Sequence, residues 1–423
     1  MPISPETFLT HSLTDLRLAQ VLAAALHAVE PGAAVTRHLR MHPLPPARRI
    51  YALGLGKAAL PMTQALAQCC PLQDALIITK YPGEPGFSPA TLLTGGHPVP
   101  NADSVRAGQA ALSFVSGLGA EDVLVCLISG GGSALMSAPR VPLEDLQTLT
   151  RLLLACGARI DEINTLRRHL DKVKGGGLAR QTGAKVRSLI LSDVVGNPLE
   201  AIASGPTAPD PSTRAQAWDT LKKYDLLHAV PPSVLQVLQN AEETPKADDP
   251  LFARVENVLV GSNALAAEAA LRQAQALGFS PFFLGDDWQG EAREVAKTLC
   301  ERLKAEQRRP FCLVAGGETT VTLSGAGLGG RNQELALAAV EELAGLENVL
   351  LVTLATDGED GPTNAAGAVV TGETKKRAQA LNLDAQLFLR EHDAYHFFAP
   401  LGDLLKPGPS GTNVNDLTFL FGL

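Results

Sequence analysis

The sequence predicts an α/β protein of two domains, each a parallel sheet layered between helices. Three observations carry that expectation. Strand-length apolar runs such as residues 123–128 and 349–354 are continuous, as in parallel strands covered on both faces. These runs open into glycine-rich or polar turns and then into helical patterns. The stretch from residue 231 to 254 carries Pro, Asp and Glu with little periodicity, and the alternation restarts beyond it. A boundary inside that stretch gives domains 1–240 and 241–423.

Within residues 12–30, Leu16, Ala19, Leu22, Ala23 and Leu26 recur at helical spacing, and Pro31-Gly32 ends that helix. Prolines 43, 45 and 46 mark a connection. Tyr51-Ala52-Leu53-Gly54-Leu55-Gly56-Lys57-Ala58-Ala59 then reads as strand, tight turn and helix. Residues 75–79 form a second strand with Lys80 at its carboxyl end. Gly95-Gly96-His97-Pro98-Val99-Pro100 is a loop, because its prolines remove donors, and a helix starts near Asp103. The run 123–128 opens into Ser129-Gly130-Gly131-Gly132-Ser133-Ala134 and repeats the first junction. Asn164 reads as the N-cap of a helix that carries Leu166, Leu170 and Val173 and stops at Gly175-Gly176-Gly177. Arg167 and Lys174 share another face of it. A strand over 188–191 delivers Ser192 and Asp193 to its carboxyl end, and 204–211 is an extended loop. In the second domain 258–260, 281–284, 311–314 and 349–354 read as strands. The glycine-rich loop 325–330 leads into Arg331 and a helix, and the chain closes with Gly411-Thr412-Asn413-Val414-Asn415-Asp416 and a short apolar strand.

With 423 residues and a hydrophobic fraction of 45%, both domains can bury a core. The net charge of -8 argues against nucleic acid as a partner. No run approaches the roughly 18 consecutive apolar residues of a membrane span. The N-terminus lacks a charged segment followed by an apolar one, so no membrane partner and a cytoplasmic location are expected. The six cysteines lack C-x-x-C spacing and read as buried free thiols. The composition allows a homodimer.

The chemistry is concentrated at the turns. Gly54 and Gly56 precede a helix start, where backbone N–H groups and the positive end of the dipole favour an anion, and Lys57 adds a full charge. Gly54-x-Gly56-x-x-Ala59 formally matches the dinucleotide fingerprint. The acidic residue that would meet the ribose is missing, however, because the second strand ends Ile77-Ile78-Thr79-Lys80. Ser129, Gly130, Gly131, Gly132 and Ser133 can curl into an anion nest; a ligand-free turn is the alternative at both junctions. Arg331 opposes the dipole of the helix it opens, which points to an anionic ligand, with a surface pair to Glu334 as the alternative. Asp357 and Asp360 suit a magnesium ion completed by substrate phosphates, or a plain turn. Asp193 sits at the ligand-facing end of a parallel strand, for catalytic, metal or capping duty. His97 is read as bracing its loop, and no Ser-His-Asp or Cys-His set stands out. Cationic clamps, glycine turns and carboxylates are the inventory of phosphoryl transfer.

At these residues the chain resembles the MOFRL-type glycerate 2-kinase family, relatives of which also carry the name hydroxypyruvate reductase. The resemblance runs nearly end to end, through Gly54 to Ala59, Gly95 to Pro100, Ile128 to Ala134, Ser192-Asp193-Val194-Val195-Gly196, Gly316-Gly317-Glu318, Gly329-Gly330-Arg331-Asn332-Gln333-Glu334, Thr356 to Pro362 and Thr412 to Asp416. It implies a Rossmann-like N-terminal kinase domain, a C-terminal MOFRL-type domain and an active site in the cleft between them. It implies phosphorylation of D-glycerate by ATP with Mg2+; the alternative is an NAD(P)H-dependent hydroxypyruvate reductase. Carried over, Lys57 and Arg331 are the catalytic cations and Asp193 a base or metal anchor, while Glu318, Asn332, Asn413 and Asn415 fall near the substrate. Asn101 and Asn197 stand where the family commonly has aspartate, which would move any metal duty to Asp103 or Asp193.

Overall fold

β1 (Arg49–Leu55) pairs in parallel with β2 (Asp74–Thr79) on one side and, in the other direction, with β4 (Asp122–Ile128). β3 (Thr91–Thr94) adds in parallel beyond β2 and β5 (Lys185–Leu191) beyond β4, with β6 (Val255–Gly261) at the edge. The resulting order, β3-β2-β1-β4-β5-β6, reverses direction between β1 and β4. That reversal is the topological switch point at which open α/β sheets bind ligands. In the computed structural model, which describes residues 3–423, this sheet belongs to a unit of residues Pro31–Val260. Every residue of β4 is buried, and its Leu124, Cys126 and Ile128 pack with Leu53 and Leu55 of β1.

The second sheet departs from the parallel expectation. β7 (Ser280–Phe283) and β8 (Trp288–Glu291) run parallel to β9 (Phe311–Thr320). β13 (Asp416–Gly422), however, is antiparallel to both β9 and β10 (Val349–Ala355), and β11 (Gly367–Thr371) is antiparallel to β10. A short β12 (Leu404–Leu405) completes the order β12-β11-β10-β13-β9-β7. The apolar runs reported burial on both faces correctly; they carry no information about strand direction.

The second unit joins the N-terminal residues up to Glu30 to Gly261–Leu423, so the units change at 30/31 and 260/261, whereas sequence placed the boundary at 240/241. The predicted first helix is Leu16–Ala28, capped by Asp15, and it packs on the helix Asn263–Ala276. Two side chains hold this segment to the rest of the unit. The fully buried Asp403 accepts from Ser12 N (2.8 Å), Ser12 Oγ (2.9 Å) and Thr10 Oγ1 (3.1 Å) and pairs with Arg377 (2.7 Å). Thr412 Oγ1 donates to the carbonyl of Val29 at 2.7 Å.

Local boundaries also differ. Pro31 opens a further helix, Pro31–Met41, since its fixed φ suits a first helical turn. Asn164 lies inside the helix Ile160–His169, whose N-cap is Arg159, and that helix ends before the glycines. The polar stretch after residue 231 contains the helix Pro232–Asn240. All six cysteines are free; Cys126, Cys300 and Cys312 are buried, but Cys69, at a helix end, is exposed. Among the described residues no single helix is long and apolar enough to cross a membrane.

Removing the Asp403 carboxylate strands Arg377 and two hydroxyls, so Asp403→Ala is expected to cost about 3 kcal/mol in urea unfolding. A change below about 0.5 kcal/mol, the range of ordinary surface substitutions, would show that the N-terminal segment is held by apolar packing alone.

Candidate active site

At the switch point the two glycine turns interlock. Ser129 N donates to the Leu55 carbonyl (2.8 Å), Lys57 N to the Gly130 carbonyl (3.0 Å) and Ala58 N to Ser129 Oγ (3.0 Å). Gly56 has φ 117°, and a Cβ there would lie 2.4 Å from both Ser129 O and Oγ, so only glycine fits. A Cβ on Gly130 would lie 1.9 Å from Asp193 Oδ2, which places that carboxylate directly against the turn. A Cβ on Gly131 would lie 3.2 Å from His97 Cδ2 and 3.4 Å from Lys57 Cγ. Residues following β1, β3, β4 and β5 thus gather at the carboxyl ends of the sheet.

Several predicted residues have structural work here. Gly54 is inside β1, backed by Thr63, whose Oγ1 would be 2.5 Å from an added Cβ. The Ser129 hydroxyl is taken by Ala58 N, Ser133 Oγ lies 2.7 Å from Ser204 Oγ, and Gly132 abuts Ala203. Ala203, Ser204 and Gly205 are successive left-handed residues (φ 50°, 59° and 61°), a strained turn with no glycine at two of its positions to announce it. His97 lies beside the second glycine turn. Burial lowers its pKa, and the charges of Lys57 and Lys80 lower it further, so the imidazole beside the turn is neutral. Asn101 caps the helix Ala102–Ser116, Asp103 pairs with Arg106, and Asn197 occupies a left-handed position (φ 53°).

In the other unit, a cavity of about 460 Å³ is lined by Arg331, Asp357, Asp360, His392, Asn413 and Asp416 among others. Arg331 does not pair with Glu334. Its Nε donates to Asp416 Oδ2 (2.6 Å), Nη2 to Asp416 Oδ1 (3.4 Å) and Nη1 to Glu318 Oε1 (2.7 Å). Glu334 pairs instead with Arg293 (2.7 Å). Burial pushes the Asp416 carboxyl up to about 6, although Arg331 pulls it back. The Arg331 guanidinium is held above its ordinary range, because Asp416 and Glu318 outweigh burial. Asp416 was not among the predicted site residues; only its place at the end of the Thr412-to-Asp416 motif could have drawn attention to it.

Asp360 is engaged by the helix that Arg331 opens, and Asp357 Oδ1 accepts from Glu359 N (3.2 Å). Both oxygens of Asp360 accept from the start of the helix Arg331–Leu343, from Asn332 N (3.1 Å) and Gln333 N (2.8 Å), and burial raises its pKa. It is a helix-start acceptor, and Asn332 is its buried partner through Nδ2 as well (3.3 Å). Among the described residues no group of three or more His, Cys, Asp or Glu suits a metal ion. Asn413 Oδ1 accepts from Asn415 N (3.0 Å), and Asn415, left-handed at φ 65°, offers its carbonyl to Thr356 Oγ1 (2.6 Å). Those two asparagines shape the cavity wall through the backbone.

Sheet order and turns together define a two-unit α/β protein with glycine turns at the switch point of its parallel sheet. Comparison with known proteins specifies it further. Residues 17–239 match the family described as Domain of unknown function (DUF4147), and residues 311–416 match the MOFRL family. The chain is 42% identical to the glycerate 2-kinase of Pyrococcus horikoshii over 87% of this chain and 86% of that protein. It is 38% identical to the D-glycerate 2-kinase of Thermotoga maritima, over 94% and 96%. The crystal structure of glycerate kinase from Thermotoga maritima superposes with a TM-score of 0.90 at 38% identity, covering 96% of this chain and 99% of that one. The chain belongs to the MOFRL-type glycerate 2-kinase family.

The Gly130–Asp193 contact makes a direct prediction. Gly130→Ala is expected to lower stability by about 2 kcal/mol, as overpacking does. In an Asp193→Ala background the same substitution should cost less than half as much. Equal costs in the two backgrounds, measured by urea unfolding, would show that the carboxylate does not press on the turn.

Proposed function

We propose that this chain transfers the γ-phosphoryl group of ATP to the 2-hydroxyl of D-glycerate, giving 2-phosphoglycerate and ADP. The observation that carries the reading is the gathering of Lys57, the Ser129-to-Gly132 turn, neutral His97 and Asp193 at the switch point. The named kinase relatives support it. In the step itself, the glycerate 2-oxygen forms a bond to phosphorus while the bond from phosphorus to the β–γ bridging oxygen breaks. Asp193 takes the hydroxyl proton. Lys57 and Arg331 stabilise the charge on the transferring group, and the N–H groups of the turn hold phosphate oxygens. Magnesium would arrive with the nucleotide. Asp360 accepts from the start of its helix, and Asp357, on the same cavity wall, is the carboxylate we assign to that magnesium. The setting we propose is cytoplasmic. The reductase rival needs a carboxylate after β2 for the ribose; Lys80 stands there, and its charge bears on His97 instead.

Incubation with ATP, magnesium and D-glycerate, followed by phosphorus NMR, should show 2-phosphoglycerate. A 3-phosphoglycerate signal, or NADH oxidation with hydroxypyruvate and no phosphoglycerate, would overturn the reading. Lys57→Ala and Arg331→Ala should each lower kcat roughly a hundredfold or more, as loss of a charge-stabilising donor does.

The pH profile tests Asp416. Its carboxyl ionises near 6 in the folded chain, against about 3.9 for an ordinary aspartate. Above pH 6 the carboxylate grips Arg331; below, the proton loosens that grip. We expect kcat to fall as pH drops through about 6, and Asp416→Asn to lower kcat and erase that limb. Stability runs the other way. Between the unfolded and folded pKa values the folded state holds a proton the unfolded chain has released, so this group's contribution to stability is present at lower pH and lost as pH rises through about 6.

A further inference from the structure

The glycine-rich segment 322–330, which leads into Arg331, is seated on the turn between the helices Ala385–Glu391 and Ala394–Leu401 by a set of specific contacts. Gly327 N donates to the Glu391 carbonyl (2.9 Å), Leu328 N to Asp393 Oδ1 (2.9 Å), and Tyr395 N to the Leu328 carbonyl (2.9 Å). Cβ atoms on Gly325 and Gly327 would each lie 2.5 Å from the Glu391 carbonyl, so the approach requires both glycines. At the other end, Glu291 accepts from Thr322 N (3.2 Å) and Oγ1 (2.5 Å). In the middle stands His392, buried and left-handed at φ 56°. Its Nδ1 lies 3.1 Å from Glu334 Oε1 and its Nε2 3.0 Å from Ser324 Oγ. The Glu334 carboxylate, which can only accept, lies closer to Nδ1 than Arg293 Nη2 (3.3 Å), so Nδ1 carries the proton and Nε2 accepts from the serine.

Ser324, His392 and Glu334 thus form a Ser-His-Glu relay beside the Arg331 cavity, from residues scattered in the sequence. Two uses of such a relay are chemically distinct: activating the serine as a nucleophile, or fastening its loop. The surroundings favour fastening. Glu334 also holds Arg293 at 2.7 Å, and the contacts of Gly327 and Leu328 tie the same loop to the same turn. The loop in turn brings Val321 and Leu323 to the cavity, with Pro362 also on its wall. A volume of about 460 Å³ far exceeds what a three-carbon acid needs; its wall joins these apolar residues, which suit a base, to Arg331 and to carboxylates such as Asp357, Glu359 and Asp416, which a phosphate chain would meet together with its magnesium.

We propose that His392 is a positioning residue that seats the 322–330 loop as the wall of a nucleotide pocket, acting through Ser324 and Glu334. The proposal rests on the kinase reading for its substrate, but its first readouts do not need turnover. Ser324→Ala, at an exposed position, leaves the His392–Glu334 contact in place. In the full chain it should speed hydrogen exchange of the 322–330 amides and weaken magnesium–ADP binding by calorimetry, each roughly fivefold, the factor that one hydrogen bond supplies. The KM for ATP should rise by a similar factor, with kcat and the KM for D-glycerate within about twofold. His392→Asn, which suits the left-handed backbone but does not reach Ser324, should reproduce this, and Ser324→Thr should restore wild-type behaviour. Unchanged exchange and unchanged ADP affinity in both Ser324→Ala and His392→Asn would overturn the proposal. Labelling of Ser324 by a fluorophosphonate, lost in His392→Asn, would also overturn it and make the relay a nucleophilic site. Absence of D-glycerate phosphorylation with the exchange and ADP effects intact would sink the kinase reading and leave the loop's role standing.

Discussion

The C-terminal unit depends on one placement: the last strand of the chain lies in the middle of its sheet. β13 is buried at every position and hydrogen-bonded on both sides, antiparallel to β9 and to β10. Its register sets Asp416 opposite Gly317 and Ala355, so the carboxylate emerges one residue from Glu318. The start of the strand is locked by Asn263, whose Nδ2 donates to the carbonyls of Val414 (2.9 Å) and Asp416 (2.8 Å). That amide comes so close to β9 that a Cβ on Gly316 would lie 1.6 Å from its Oδ1. Arg331, from a different element, reaches both carboxylates only because this register puts them side by side.

The clamp on Arg331 explains why that position carries arginine rather than lysine. A planar guanidinium offers two donors to Asp416 and a third to Glu318 at once, whereas an ammonium is a compact point charge without that fork. Burial alone would drive Asp416 to protonate and Arg331 toward neutrality; their mutual attraction resists both. The side chain is therefore fixed before any ligand arrives, and its remaining N–H groups need not reorganise when charge develops near them.

What could be read from the sequence follows from the range of the forces involved. The glycine turns at 56 and 129–133, the strand that leads to Lys57 and the helix over Leu16–Ala28 are set by local sterics and periodicity, so they were legible. Arg331 was legible as an oddity, a cation at a helix start, but its partner was not. The nearest acid on the same helix is Glu334, whereas the actual partner Asp416 lies 85 residues away. The same limit hid the docking of Ser12 on Asp403, 391 residues apart, and the Ser324–His392 contact. The helix-start contacts of Asp360 were hidden as well, because D-x-x-D spacing says nothing about which helix will point its N–H groups at the second carboxylate. Strand direction was invisible for a related reason, since a strand covered on both faces has the same composition whichever way it runs.

The two units place their cations under opposite conditions, and this bears on how each contributes. Lys57 is exposed, and the second glycine turn brings its side chain near the His97 imidazole, whose pKa is lowered. In water its charge is well screened, and its attraction for a phosphate grows only as a ligand excludes solvent from the glycine turns. Arg331 is only partly exposed and already paired, so its gain from a ligand comes from geometry that is in place, partly offset by the two carboxylates it serves. A solvated lysine can capture an anion from solution with little prior cost, while a preorganised arginine does little for capture but can favour the state in which charge is spreading over the transferring group.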